Sequence, residues 1–189
     1  MGMAHDHGYL YQLARASRFF ERVLNRTGPL KGLDPWMVRY EDDLWSFFIH
    51  CWHVRDWIRE DDSLSLGVRQ GILAAANASH PLCVCADIAN GRKHARLTRH
   101  RAGVELDEMR LTPTTPNVEE LVFECFLSWG PGEGESISSL DAAIQALRAW
   151  KEILEANGLP LPVGFPNDLT PRGQWFPDGW PPPPPRASP

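Results

Sequence analysis

The sequence predicts an α+β protein that is mainly helical, a bundle of about four to five helices with a small antiparallel β-sheet inserted before the last helix. Apolar residues recur at steps of three and four through most of residues 7–90. After about residue 95 the apolar period changes to two, which is typical of strands. Helical spacing returns over residues 140–154, so the last regular element is again a helix.

One domain and a tail account for the length of 189 residues. We predict a single domain over residues 1–158 and a proline-rich tail, extended or disordered, over residues 159–189. The net charge of −5 argues against a globally basic nucleic-acid binder but allows a local basic patch. No apolar run approaches the roughly 20 residues that span a bilayer, and the N-terminus lacks the features of a signal peptide, so we expect no membrane association and a cytoplasmic location.

Four helices are expected before residue 95. Helical spacing followed by a Thr-Gly-Pro stop predicts the first over residues 7–26. Asp34 can cap a central helix that begins near residue 35, with Pro35 at its first position, and runs to about Glu60. A third helix extends to Ala78, because the residue before a proline disfavours the α region.

The fourth helix and the elements after it follow from similar signals. The helix begins at Pro81, and Gly91 is expected to cap its C-terminus. Alternation from Val104 and again over residues 121–129 predicts antiparallel strands. Ser138-x-x-Asp141 resembles a capping box, which predicts the start of the last helix.

Two helices carry a polar stripe. Steps of three and four place the members of each stripe within about a third of the helix circumference. Since an unpaired buried polar group costs about 1–3 kcal/mol, each stripe must meet water, a ligand or other polar groups. The central helix contributes Asp42, Ser46, His50, His53, Asp56 and Glu60, and the fourth helix contributes Cys83, Asp87, Asn90 and His94.

The first candidate site is the place where these two stripes would meet. Histidines beside carboxylates are the parts of a proton-transfer site, because His titrates near neutral pH and Asp can fix its tautomer. His50 and His53 would then face Asp87 and His94. The alternative is a satisfied polar seam that holds the helices in register without chemistry.

A metal-dependent hydrolase is a further alternative, with zinc held by a tetrahedral subset of His and Cys side chains. Their spacing matches neither paired CxxC motifs nor HExxH. The four cysteines are dispersed, so buried free thiols are expected. We predict neither a metal nor another cofactor; the side chains considered for zinc are His50, His53, Cys83, Cys85 and His94.

The second candidate site is the basic run GRKHARLTRHR over residues 91–101. In an acidic protein this run is a local positive patch suited to phosphate contacts. The alternative is an exposed loop or strand that balances an acidic surface. The residues expected to bind RNA are Lys93, Arg96, Arg99, His100 and Arg101.

The motif WSFFxxCWHxxDWI on the central helix, together with ADIANGRKH on the fourth, resembles a group of small bacterial and phage proteins of uncharacterised function and, more distantly, the HEPN superfamily. The likeness covers about residues 7–157. It implies a helical bundle, often a homodimer, of a kind found in toxins, defence systems and metal-independent ribonucleases. Catalytic HEPN domains act on RNA with an Arg and a His at a spacing that this chain does not reproduce, so a non-catalytic HEPN-like binding module is equally implied.

The leading hypothesis is a HEPN-like protein that binds or cleaves RNA by metal-independent acid/base chemistry. In the catalytic version His94 is the general acid or base and Arg92 stabilises the charge on the phosphorane. Asp87, His50 or His53 would orient the ring of His94. The competing hypothesis is a non-enzymatic interaction or scaffold protein whose polar helix seam is structural.

Overall fold

The computed structural model describes residues 7–24, 33–93, 104–113, 121–129 and 136–170. Five helices dominate these residues, as the sequence predicts, and the mainly helical bundle is confirmed. Their bounds lie within a few residues of those expected from spacing and stop signals. The helices are α1 Gly8–Leu24, α2 Leu33–Arg59, α3 Leu66–Ala78, α4 His80–Lys93 and α5 Ser139–Ala156.

Within the described residues, three strands lie between α4 and α5. Their backbone pairing is antiparallel in the order β1-β2-β3, with an irregularity between Leu106 and Met109. Side chains are described at few strand positions, and Leu127 and Ile137 among them are buried. The strands are β1 Val104–Pro113, β2 Leu121–Trp129 and β3 Ser136–Ser138.

The core forms where α2 passes between α1 and α5. Phe20 of α1 packs against Phe47 of α2 with ring centroids 6.0 Å apart. One turn further along α2, the indole N–H of the fully buried Trp150 of α5 donates a hydrogen bond of 2.9 Å to the carbonyl oxygen of Cys51. Helix α2 is therefore enclosed by its neighbours along much of its length, which explains why its apolar residues cover most of its circumference.

A sharp bend at Ser79 separates α3 from α4. The hydroxyl of Ser65 accepts a hydrogen bond from the N–H of Val68 and caps the start of α3. The backbone of Ser79 is extended and ends α3, and α4 already begins at His80, the residue before Pro81, so the break lies one residue earlier than the effect of proline on its neighbour predicts. No single helix in the described residues is long and apolar enough to cross a membrane; only α3 and α4 taken together, through their bend of 82°, have that length and composition.

Two local predictions, at Gly91 and Ser138, differ from the structure. Helix α4 continues through Gly91 to Lys93, because a single glycine is tolerated inside a helix at a cost of about 1 kcal/mol. Ser138 precedes α5 at the capping position, yet its side chain makes no capping hydrogen bond. The first part of the tail, residues 159–170, is irregular but packs on the domain, with Leu169 buried. Residues 171–189 lie outside the described part of the chain.

Acid is expected to destabilise the fold through His80, the first residue of α4. Burial lowers the pKa of this imidazole to about 4. The unfolded chain therefore binds more protons between the ordinary histidine pKa of 6.5 and about 4, and stability is lost as the pH falls through this window. The His80→Gln variant lacks this imidazole, so its free energy of unfolding should fall by about 1 kcal/mol less than that of wild type over this pH window, with solvent screening allowed for. Urea titrations at several pH values measure the difference.

Carboxylates titrate in the same pH range, so the test of His80 is a difference between two proteins. Wild-type protein and the His80→Gln variant carry the same carboxylates, and their contribution cancels. Curves of unfolding free energy against pH that run parallel for the two proteins would show that His80 has no part in the acid response.

Candidate functional site

Helices α1 and α2 form an antiparallel hairpin with one surface seam between them. Near one end of the hairpin Gly8 packs against the ring of Trp57, and near the other Arg22 forms an ion pair of 3.5 Å with Asp43. Between these ends, His50 of α2 meets α1. His50, in the middle of the polar stripe of the central helix, therefore has its partners on α1.

His50 is held by a buried amide. Nε2 of Gln12 lies 2.9 Å from Nδ1 of His50 and also donates to the His50 carbonyl oxygen at 3.3 Å. Because a carbonyl oxygen only accepts hydrogen bonds, the amide must turn its NH₂ group toward His50. The same NH₂ group then donates to Nδ1, which must accept. Neutral His50 consequently carries its proton on Nε2.

The surroundings of His50 keep it neutral. Burial is the largest cause that lowers its pKa, and the positive charges of Arg15, His53 and Arg18 lower it further. The ring also stacks on Phe19 at a centroid distance of 5.3 Å. Nε2 makes no hydrogen bond with a described residue and is not buried. His50 therefore presents an N–H donor to the surface.

A row of cations runs along α1 beside His50. Arg15, Arg18 and Arg22 follow steps of three and four, which places them on one face of the helix. Arg22 is partly neutralised by Asp43 and lies over the ring of Phe19 at 4.3 Å. Arg15 and Arg18 are exposed, and neither forms an ion pair within the described residues.

We name this surface the cationic face and define it by Arg15, Arg18, His50 and His53. Every charged neighbour that acts on His50 is a cation, so the face has a locally positive potential on a protein of net charge −5. Exposed guanidinium groups beside an N–H donor match the requirements of a phosphate group. The arrangement can bind an anion.

Sequence-predicted residues of the central helix do not share one environment. His53 is exposed on the cationic face, whereas Asp56 forms an ion pair of 3.1 Å with Arg59 on its own helix. The hydrogen bonds and ring contact of His50 are with residues of α1. The sequence instead predicts Asp87 and His94, of the fourth segment, as its neighbours. The reason is rotational: Cys51, one position further along α2, is the residue that meets Cys85 of α4.

In the fourth helix, two residues of the predicted stripe, Cys83 and Asp87, are buried. Asp87 is 1% exposed, and Cys83 and Cys85 are buried free thiols, as the sequence predicts. Burial raises the pKa of Cys85 well above its ordinary value, and the hydrogen bond with Cys51 raises it further, so this thiol is protonated. No group of three or more His, Cys, Asp or Glu side chains within the described residues is arranged to hold a metal ion.

The basic run is only partly within the described residues. Arg92 and Lys93 lie in the last turn of α4, and nothing is described of their side chains. The prediction that this run binds RNA, and that His94 and Arg92 act in catalysis, stays a prediction. The remaining candidates, His94, Arg96, Arg99, His100 and Arg101, lie outside the described residues.

A second polar cluster fastens the start of α1 to the loop between α2 and α3. Nδ1 of His7 lies 2.9 Å from Oδ2 of Asp61 and 3.0 Å from Oγ of Ser63. Burial would raise the pKa of Asp61, but hydrogen bonds from Ser63 and His7 lower it below the ordinary value. Serine and carboxylate meet the same ring nitrogen, so the cluster lacks the relay geometry of a hydrolytic triad.

The residues of α1 that build the cationic face were not candidates on sequence grounds. Their signal is present in the chain: Tyr11, Arg15, Arg18 and Arg22 repeat at steps of four, three and four. Gln12 carries no comparable signal, because only its contact with α2 makes it important. Comparisons of the chain with protein-family models, with curated proteins and with solved structures found no match.

Proposed function

We propose that this protein binds RNA, with the cationic face contacting phosphate groups. One observation carries the proposal: Arg15 and Arg18 are exposed and form no ion pair within the described residues, beside a histidine whose pKa is lowered by burial and by these cations. The phosphate backbone supplies much of the free energy of nucleic-acid binding, and arginine is well suited to it. RNA as the polymer follows the HEPN-like resemblance.

The proposal includes the finer fold class expected from the sequence. A small antiparallel sheet before the last helix makes this an α+β domain, and the backbone pairing of β1, β2 and β3 supports it. The burial of Leu127 and Ile137 supports packing of these strands against the helices. A HEPN-like relationship is consistent with the helical bundle and is part of the same proposal.

Binding rather than cleavage is the activity that the geometry favours at this face. A general base needs an unprotonated nitrogen directed at the substrate, whereas neutral His50 carries its proton on the outer Nε2. Protonation at Nδ1 would place two donors against each other at the Gln12 amide. His50 therefore serves as a hydrogen-bond donor to a phosphate oxygen. The burial of Asp87 favours a structural seam on α4.

The double variant Arg15→Ala, Arg18→Ala is expected to bind a short mixed-sequence single-stranded RNA roughly tenfold more weakly than wild type. The slope of log affinity against log salt concentration should also become shallower, by about 0.7 for each arginine removed. Fluorescence anisotropy of labelled RNA, recorded at several salt concentrations, measures both quantities.

Arg59→Ala is the matched control, because it removes the same charge from a guanidinium already paired with Asp56. Its affinity should stay close to that of wild type. Unchanged affinity and salt slope in the double variant would contradict the proposal. Tighter binding of single-stranded DNA of the same sequence would contradict RNA as the ligand.

A further inference from the structure

We infer that the end of the cationic face at Trp57 is a base-stacking subsite, so that the ligand contains unpaired nucleotides. The inference rests on the proposed RNA binding and adds a substrate class to it, single-stranded rather than duplex RNA. Three observations support it: the indole of Trp57 is exposed, it is held against α1 at Gly8, and it lies at one end of the cationic face.

Trp57 differs from the other large aromatic residues of the α2 core. Its exposed fraction is 48%, whereas Trp52 and Phe47 are buried. A tryptophan that leaves half its surface in water forgoes the stabilisation that burial would give it. Such a ring has the flat apolar face on which a base can stack, and every base has a π-face to offer.

The indole of Trp57 is held in place by α1. A methyl group built on Gly8 would lie 2.4 Å from Cε3 and 2.9 Å from Cζ3 of the ring, so glycine is needed for this close approach. The Cε3–Cζ3 edge of the indole thus lies against the backbone of α1, and about half of the side chain stays exposed to solvent. A ring fixed in this way loses little conformational entropy when a ligand binds.

A second aromatic residue lies one turn along from Gly8. Tyr11 is 61% exposed and, at a step of three residues, is on the same face of α1 as Gly8. A further step of four leads to Arg15. The aromatic end of the seam is therefore continuous with the cationic face along α1.

The same continuity holds on α2. His53 and His50 precede Trp57 by one and two helical turns, so the donor of His50 lies about 10 Å from the indole along the helix axis. A short single-stranded segment covers that distance with phosphates on the cations and a base on the ring. Cationic grooves with stacking rings are the general mode of single-strand binding. The bases of a duplex are stacked on each other, so duplex RNA could not use the ring.

The test compares Trp57→Ala with wild type on two polymers of equal length, a single-stranded RNA and an abasic ribose-phosphate chain that carries the charge without the bases. RNA affinity should fall about tenfold, and affinity for the abasic chain should stay unchanged. Trp57→Leu keeps apolar packing against Gly8 without a π-face and should lose the same RNA affinity. Trp57→Phe should retain most of it, and Leu66→Ala, at an exposed apolar residue of α3, should retain all of it.

The outcomes separate this inference from the proposed function. If Trp57→Ala leaves RNA affinity unchanged while the Arg15→Ala, Arg18→Ala variant lowers it, the stacking subsite is wrong and phosphate binding stands. An equal loss on both polymers would show that Trp57 only supports the cationic face, and tighter binding of duplex than of single strand would also overturn the inference. If wild-type protein binds neither polymer, both proposals are wrong.

Discussion

Replacing Trp150 with alanine is expected to lower the free energy of unfolding by about 3–5 kcal/mol. The side chain is fully buried in α5, and its removal leaves a large cavity beside α2. The substitution also removes the hydrogen bond from Nε1 to the carbonyl oxygen of Cys51, which ties α5 to the middle of the central helix. Urea denaturation followed by circular dichroism measures the change, because other tryptophans complicate a fluorescence signal.

Trp150→Phe separates the two contributions. Phenylalanine keeps most of the buried apolar volume and lacks the N–H, so the loss should be smaller, about 1–2 kcal/mol. A loss below about 1 kcal/mol in Trp150→Ala would mean that the α2 and α5 contact is not part of the stable core. The result does not depend on the proposed function, so it tests the fold alone.

Replacing Gln12 with glutamate is expected to raise the pKa of His50 from below the ordinary histidine value to above it. In the wild-type protein the amide donates to Nδ1, and burial with the nearby cations also disfavours the imidazolium. A carboxylate at the same position only accepts, so it favours a proton on Nδ1 and attracts the positive ring. NMR titration of the imidazole resonances, assigned by comparison with a His50→Gln variant, measures this pKa directly.

Gln12→Leu is the control for the sign of that shift. It removes the donor without adding a charge, so the pKa of His50 should stay below the ordinary value because the ring remains buried beside cations. It should also lower the free energy of unfolding by about 1–2 kcal/mol, since two hydrogen bonds are lost. A pKa in Gln12→Glu that stays as low as in wild type would refute the tautomer assigned to His50.

Much of the helical architecture could be predicted because it follows from local rules. Apolar residues such as Leu13, Phe20 and Val23 repeat at helical spacing, and their burial shows that the periodicity identified the inner face of α1. The end of α3 at Ala78 was predicted from the His80-Pro81 pair, although the extended residue is Ser79 and His80 itself is helical. The local sequence did not determine whether α4 ends at Gly91 or whether Ser138 caps α5. Packing determines whether a helix continues through a glycine or uses a side-chain cap.

The candidate site was harder to predict, because periodicity shows which residues share a face and leaves open what lies opposite that face. His50, His53 and Asp56 do follow one stripe of α2, but each has a different environment in the structure. Trp57 shares the helix with Trp52, and composition alone treats both as core residues. Only the packing of the helices around α2 leaves one exposed and the other buried.

The sequence by itself determined the helical class of the domain, the enclosed central helix and the presence of a polar stripe along it, because these follow from the order of apolar and polar residues. Only the tertiary structure determined which helix lies against His50 in that stripe, namely α1. The choice depends on the rotation of α2 against α1 and α4, and a rotation of one residue, about 100°, exchanges His50 for Cys51 at the contact with α4. Gln12 acquires its role only through that rotation, as the buried amide that fixes the proton of His50.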